Sequence, residues 1–215
     1  MTIKNLIKAL LILPFCFSCT PAYSGIEVLD QFYANTRSMQ ADFQQTISER
    51  YGKVLEQSSG SLIIQRPHQF VLNYKAPDQQ QYVSNGKTLW IYDLELEQVT
   101  IKGFDDGLAN SPALLISSNQ NIHKSYQVSE AHDPQRPELK IFRLQPKQEE
   151  SLFAQVYLTF RQGRLIELTM QDNFEQVTKL LLSNIRVNEK ISADTFSFQI
   201  PDDVDVIGTL DNNSL

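Results

Sequence analysis

The chain is predicted to be mainly β (α+β): one large antiparallel sheet that curls, with a few short helices. Three observations predict it. Strand-like alternation recurs roughly every dozen residues from Ala41 to Phe198, turn residues separate the runs, and only two or three stretches carry helical spacing.

The N-terminus stands apart from this pattern. Lys4 and Lys8 precede an apolar run from Ala9 to Phe17 that is too short to span a bilayer, which is the pattern of a signal peptide. Small residues place cleavage after Ala22 or Ser24, so residues 1–24 are expected to be removed and 25–215 to form a single exported domain. Both cysteines, Cys16 and Cys19, lie in this leader, leaving the mature chain no thiol for a disulfide, a metal or a nucleophile. Cys19 could instead be the acylated cysteine of a lipoprotein. The residues before it, Cys16-Phe17-Ser18, do not fit a lipidation signal, and cleavage is favoured.

The formal net charge is -6, and loss of Lys4 and Lys8 makes the mature chain more acidic. That balance disfavours nucleic acid and adsorption to anionic lipid.

Val28, Leu29 and Phe32 share one side of a short helix, with Asp30, Gln31 and Asn35 opposite. The stripe serves equally a helix packed on a core and a movable lid. Period two then takes over: Phe43 and Gln45 alternate, Leu62-Ile63-Ile64 leads to Arg66-Pro67, and Phe70, Leu72 and Tyr74 share a face. Asn85-Gly86 signals a hairpin. In the run from Thr88 to Asp93, Leu89 and Ile91 oppose Trp90 and Tyr92, so both faces are apolar or aromatic.

After an Asp105-Asp106-Gly107 turn, Ser111 can cap a second short helix with Pro112 at its first position. Ala131 to Glu138 reads as a loop, and Leu139 to Leu144 as a strand. Val156, Leu158 and Phe160, then Ile166, Leu168 and Met170, alternate across an Arg161-Gln162-Gly163 turn. A strand from Glu175 to Leu182, a turn at Ser192-Ala193-Asp194, and Phe196 with Phe198 close the domain.

The catalytic options are few. His68, His123 and His132 are not spaced as metal ligands, and neither a phosphate-cradling glycine motif nor a serine elbow is present. The acidic pairs Asp105/Asp106, Glu149/Glu150 and Asp202/Asp203 sit beside turns, where carboxylates are ordinarily solvated. No enzyme activity, metal or cofactor is expected. The alternation alone leaves open whether the apolar strands enclose an ordinary core or a cavity.

The segment Val83-Ser-Asn-Gly-Lys-Thr-Leu-Trp-Ile-Tyr92 closely resembles the LolA family of periplasmic lipoprotein carriers, whose usual string here is VSDGKTLWFY. Asp93-Leu94-Glu95-Leu96-Glu97-Gln98-Val99 continues it, with Leu94 where the family has proline. Further matches follow in family order: Met39-Gln-Ala41-Asp-Phe43-Gln-Gln45, Arg66-Pro67 with Phe70, Asn110-Ser111-Pro112, and Phe196-x-Phe198-x-x-Pro201.

The resemblance implies an unclosed β-barrel with short helical lids over an apolar cavity. It also implies handover of lipoproteins from an inner-membrane ABC transporter to an outer-membrane receptor by a monomeric periplasmic carrier. By carry-over, Arg66 is the latch that hydrogen-bonds lid carbonyls, Phe70 marks a strand that meets partners, and Leu114, Leu115 and Ile116 form a lid face. Val28, Leu29 and Phe32 would belong to the other lid. Alternation nominates Leu62, Ile64, Leu72, Trp90, Ile91, Val156, Leu158, Ile166 and Leu168 for the cavity, without saying which strand face points inward. The alternatives are a lipidated outer-membrane receptor of the LolB type, which needs acylation at Cys19, and a lipid-binding sensor module of the same fold.

Overall fold

Helix α1 spans Gly25–Asn35 and buries Leu29 and Phe32, the residues that helical spacing puts on one side. In the computed structural model, residues 25–104, 112–118, 122–148 and 151–208 are described. The leader with Cys16 and Cys19, the turn at Asp105–Gly107, and Asn110 and Ser111 lie outside them.

Six strands follow α1: β1 (Ser38–Ser48), β2 (Val54–Gln65), β3 (Gln69–Ala76), β4 (Gln80–Asn85), β5 (Thr88–Asp93) and β6 (Gln98–Gly103). They form an antiparallel meander. The β4–β5 turn is built by Asn85, whose Oδ1 accepts from the backbone N–H groups of Lys87 and Thr88 at 2.9 Å each, and by Gly86 at φ 92°. Gly60 serves the packing: a Cβ there would run into the Asn73 carbonyl and the Phe43 ring.

Two short helices, α2 (Pro112–Ser117) and α3 (Ile122–Ser125), lead to a second meander. It comprises β7 (Tyr126–Ala131), β8 (Leu139–Pro146), β9 (Phe153–Arg161), β10 (Arg164–Asp172) and β11 (Val177–Val187). A 3-10 turn at Ala193–Phe196 and the short strand β12 (Asp205–Ile207) end the described chain. Strand β7 begins within a stretch that alternation left unassigned, and the loop starts one residue later than expected.

Pairing of β1 with β11 joins the two meanders into one 12-stranded sheet, ordered β12-β6-β5-β4-β3-β2-β1-β11-β10-β9-β8-β7. Its edges, β7 and β12, do not pair with each other, so the barrel is unclosed. All described pairings are antiparallel except β12 with β6.

The sheet carries apolar residues on both faces. One cluster joins inward residues of β1 to β5 and β8 to β11 with residues of α1, α2 and α3, including Leu29, Phe43, Leu62, Leu89, Phe142, Leu158 and Leu168. Strands from both halves reach one cluster because the sheet curls. A second cluster on the outer face of β3 to β6 contains Val71, Val83, Trp90, Val99 and Ile101, covered by Phe196.

Candidate functional site

Arg66 leaves β2 just before the turn into β3 and reaches beneath the helices. Its Nη1 donates to the carbonyls of Phe32, Tyr33 and Thr36 at 3.1, 3.0 and 2.9 Å. Its Nε donates to the carbonyl of Ile116 at 3.0 Å. Phe32 and Tyr33 lie in the last turn of α1, Thr36 just beyond it and Ile116 in the last turn of α2, where carbonyls carry the negative end of the helix dipole; the Phe32 carbonyl also accepts from the Thr36 N–H at 3.1 Å. Neither helix has a basic residue in its last turn. One guanidinium therefore caps two helix C-termini at once, which the point charge of a lysine could not do with the same geometry.

The cation also lies over aromatic rings, with Cζ 4.8 Å from the centroid of Phe32 and 4.7 Å from that of Tyr33. Burial pulls the Arg66 pKa below its ordinary value. Tyr33 adds a second tie, its hydroxyl donating to the Leu115 carbonyl of α2 at 3.2 Å. Burial pushes the Tyr33 phenol above its ordinary pKa, and the neighbouring Arg66 charge opposes that rise.

Further contacts hold the helices at their margins. Asn188, just after β11, donates from Nδ2 to the Asn35 carbonyl at 2.9 Å and accepts from the Arg37 N–H at 2.8 Å. His123 of α3 meets Asp30 of α1 at 2.7 Å, and Lys147 donates to the His123 carbonyl at 2.6 Å. The backbone N–H of His68 donates to the Ser117 carbonyl at 3.0 Å, tying the β2–β3 turn to the end of α2. The signals for Tyr33 and Asn188 are tertiary, so sequence periodicity did not find them.

Beneath the helices, Leu29 and Phe32 of α1 and Leu115 and Ile116 of α2 are buried in the inner cluster, and Val28 packs at its edge. Leu114 lies in α2, with its side chain outside what is described. Phe32 meets Phe160 edge-on, with centroids 5.3 Å apart, and Phe160 meets Phe142 at 5.6 Å. Leu62, Ile64, Leu72, Val156, Leu158 and Leu168 are buried in the same cluster, and Ile91 packs against it.

Two expectations are corrected. Trp90 faces the outer cluster, where it stacks on Phe198 at 6.2 Å, because residues alternate on β5 and Leu89 and Ile91 already take the inward side. Ile166 also misses the inner cluster. The β9–β10 register shifts between Leu165 and Glu167, a bulge that returns Leu165 and Leu168 to the inside and leaves Ile166 bordering a surface recess with Arg164 and Arg186. Phe70, near the start of β3, is 0 % exposed and packs in the inner cluster.

The arrangement is thus an apolar concave surface covered by short helices, which a few hydrogen bonds to main-chain carbonyls tie down. The family model described as "Outer membrane lipoprotein carrier protein LolA" matches residues 34–199. An outer-membrane lipoprotein carrier protein of Hahella chejuensis is 37% identical over 185 residues, covering 86% of this chain and 88% of the relative. Another, of Azotobacter vinelandii, is 32% identical over 207 residues, covering 94% and 99%. Among solved structures, a conserved protein of Thermus thermophilus shares the fold at TM-score 0.55 and 14% identity, over 85% of this chain and 97% of its own.

Proposed function

Because the chain belongs to the LolA family of outer-membrane lipoprotein carrier proteins, we propose that it shields the acyl chains of lipoproteins and carries them across the periplasm. The observation that carries this reading is the single arginine tying two lid helices over an apolar concave surface. Exposing acyl chains to water costs about 0.8 kcal/mol per methylene, so one sixteen-carbon chain costs on the order of 12 kcal/mol. A carrier must supply apolar surface to offset that, and must also give the surface back.

The lid ties suit both demands. Each hydrogen bond from a charged donor is worth about 1.5–3 kcal/mol. The four bonds of Arg66 together come to about 6–12 kcal/mol, no more than the burial of one acyl chain returns, so entering cargo can displace them. Burying and releasing a chain makes and breaks no covalent bond, so the work needs no catalytic group.

In this reading residues 1–24 direct export and are removed, and 25–215 act as one monomeric carrier domain. An inner-membrane ABC transporter loads it and an outer-membrane receptor unloads it. Among the described residues, no helix is long and apolar enough to cross a membrane. The test incubates the purified mature protein with inner-membrane vesicles that hold an acylated lipoprotein and the releasing transporter, with ATP. A water-soluble complex with the lipoprotein, from which outer-membrane vesicles then take the cargo, is the expected result. Release that is equal with and without the protein would overturn the reading.

A further inference from the structure

The inward row of β1 and β2 changes character partway along. From the lid end it runs through Met39, Ala41 and Phe43 on β1 and through Ile64, Leu62 and Gly60 on β2. The next inward pair is Gln45 and Ser58, opposite each other across the ladder and only 8% and 7% exposed. Nearby, the Tyr74 hydroxyl donates to Gln45 Oε1 at 3.1 Å. The Tyr82 hydroxyl donates to Gln80 Oε1 at 3.0 Å, and Gln80 Nε2 to Asp93 at 2.9 Å.

This polar band joins the apolar cluster through aromatic rings. Phe43 meets Tyr74 at 5.2 Å and Tyr74 meets Tyr82 at 5.8 Å. Across β1 the same register stays apolar: Gln45 pairs with Leu180, Leu180 with Leu168, Leu168 with Leu158, and Leu158 with Phe142. Within this band the Ser58 hydroxyl is buried and has no hydrogen-bond partner. A buried polar group left unpaired destabilises a fold, and an acceptor arriving beside Ser58 would supply the missing partner.

We propose that Ser58, with Gln45 and Tyr74, forms a subsite for the carbonyl linkage, ester or amide, that joins an acyl chain to the rest of its cargo. The proposal rests on the carrier reading and names which part of the cargo this end of the surface holds. Hydrocarbon needs only an apolar wall, but the carbonyl at its head loses its water donors on entry. The Ser58 O–H supplies a donor in their place. The bond from Tyr74 holds the Gln45 amide oxygen, which fixes the amide beside Ser58. Leu180 and Leu168 face the first methylenes, and the chain runs from there toward the lids.

The experiment compares 1-hexadecanoylglycerol with its ether analogue 1-hexadecylglycerol, which differ only by the acyl carbonyl, as ligands of the full mature protein and of Ser58→Ala. The wild type is expected to bind the ester about fivefold more tightly than the ether. Ser58→Ala is expected to erase that preference, leave ether affinity unchanged, and melt no lower than the wild type. A wild type that binds both equally, or a preference that survives Ser58→Ala, overturns the subsite and leaves the carrier reading standing. If neither compound binds the wild type, the carrier reading fails and the subsite fails with it.

Discussion

Leu89 and Trp90 are neighbours on β5, both buried, yet they belong to two layers that are closed in different ways. Outside, Trp90 and its neighbours lie under the chain's own C-terminal segment, where Ile191, Phe196, Phe198 and Val204 pack and β12 pairs with β6. Inside, Leu89 lies in a cluster covered by α1 and α2, which converge on the Arg66 side chain. The outer layer is sealed by apolar packing and a strand ladder, the inner one by the apolar sides of short helices and by polar ties, four of them from one cation. A sheet with two apolar faces must cover both. Only the cover that rests on few polar ties can be lifted without unfolding the rest.

The largest effect should come from the permanent cover. Phe196 is buried at the centre of the outer layer, and Phe196→Ala is expected to lower the unfolding free energy by about 3–5 kcal/mol in urea titration. A loss below about 1 kcal/mol would mean that the tail only rests on the sheet.

Arg66→Leu breaks the comparison from the other side. It leaves carbonyls at the ends of α1 and α2 without their donor, so hydrogen exchange at lid amides should accelerate about ten- to hundredfold. Strand amides of β3 to β6 should hardly change. Unchanged lid exchange would show that apolar packing alone keeps the helices down.

Alkaline pH probes the inner layer more gently. Burial raises the phenol pKa of Tyr33 and of Tyr74 above the ordinary value. Above about pH 10 the unfolded chain loses these protons while the folded chain keeps them. The stabilisation is thus whole below pH 10 and declines as pH rises beyond it, by about 1.4 kcal/mol per pH unit for each phenol. Melting followed from pH 9 to 11 should show the decline, and Tyr33→Phe should make it shallower. An equal slope in the variant would remove Tyr33 from the account.

Much of this division was legible in advance. Period-two runs located most strands, the Asn85-Gly86 turn held, and the Arg-Pro motif pointed to Arg66, whose bonds to both helices the structure displays. The faces were harder to read. Where a strand is buried on both sides, as β5 is, alternation separates Leu89 from Trp90 without saying which is inside. β12 was missed for a different reason: it is three exposed residues whose only signal is parallel pairing with a strand about a hundred positions earlier. Tyr33 and Asn188 act through hydrogen bonds to carbonyls remote in sequence, which no local spacing encodes.

The smallest predicted effect sharpens the inside-outside boundary at a single residue. Counting by twos from Met170 puts Leu168 and Ile166 on the same inner face, yet the β9–β10 register slips between Leu165 and Glu167. The extra residue is absorbed at Ile166, which leaves Leu165, Leu168 and Met170 inside and Ile166 partly exposed on the surface. A side chain there gives up little apolar burial when shortened, and it ties down no lid. Ile166→Ser should therefore change stability by no more than about 0.5 kcal/mol. It should also leave lid exchange and ligand affinity where they were. Leu168→Ala, two positions along, should cost about 2–5 kcal/mol because it opens a void in the inner cluster. Similar losses for the two variants would place Ile166 inside after all, and the bulge would no longer mark where the inner layer ends.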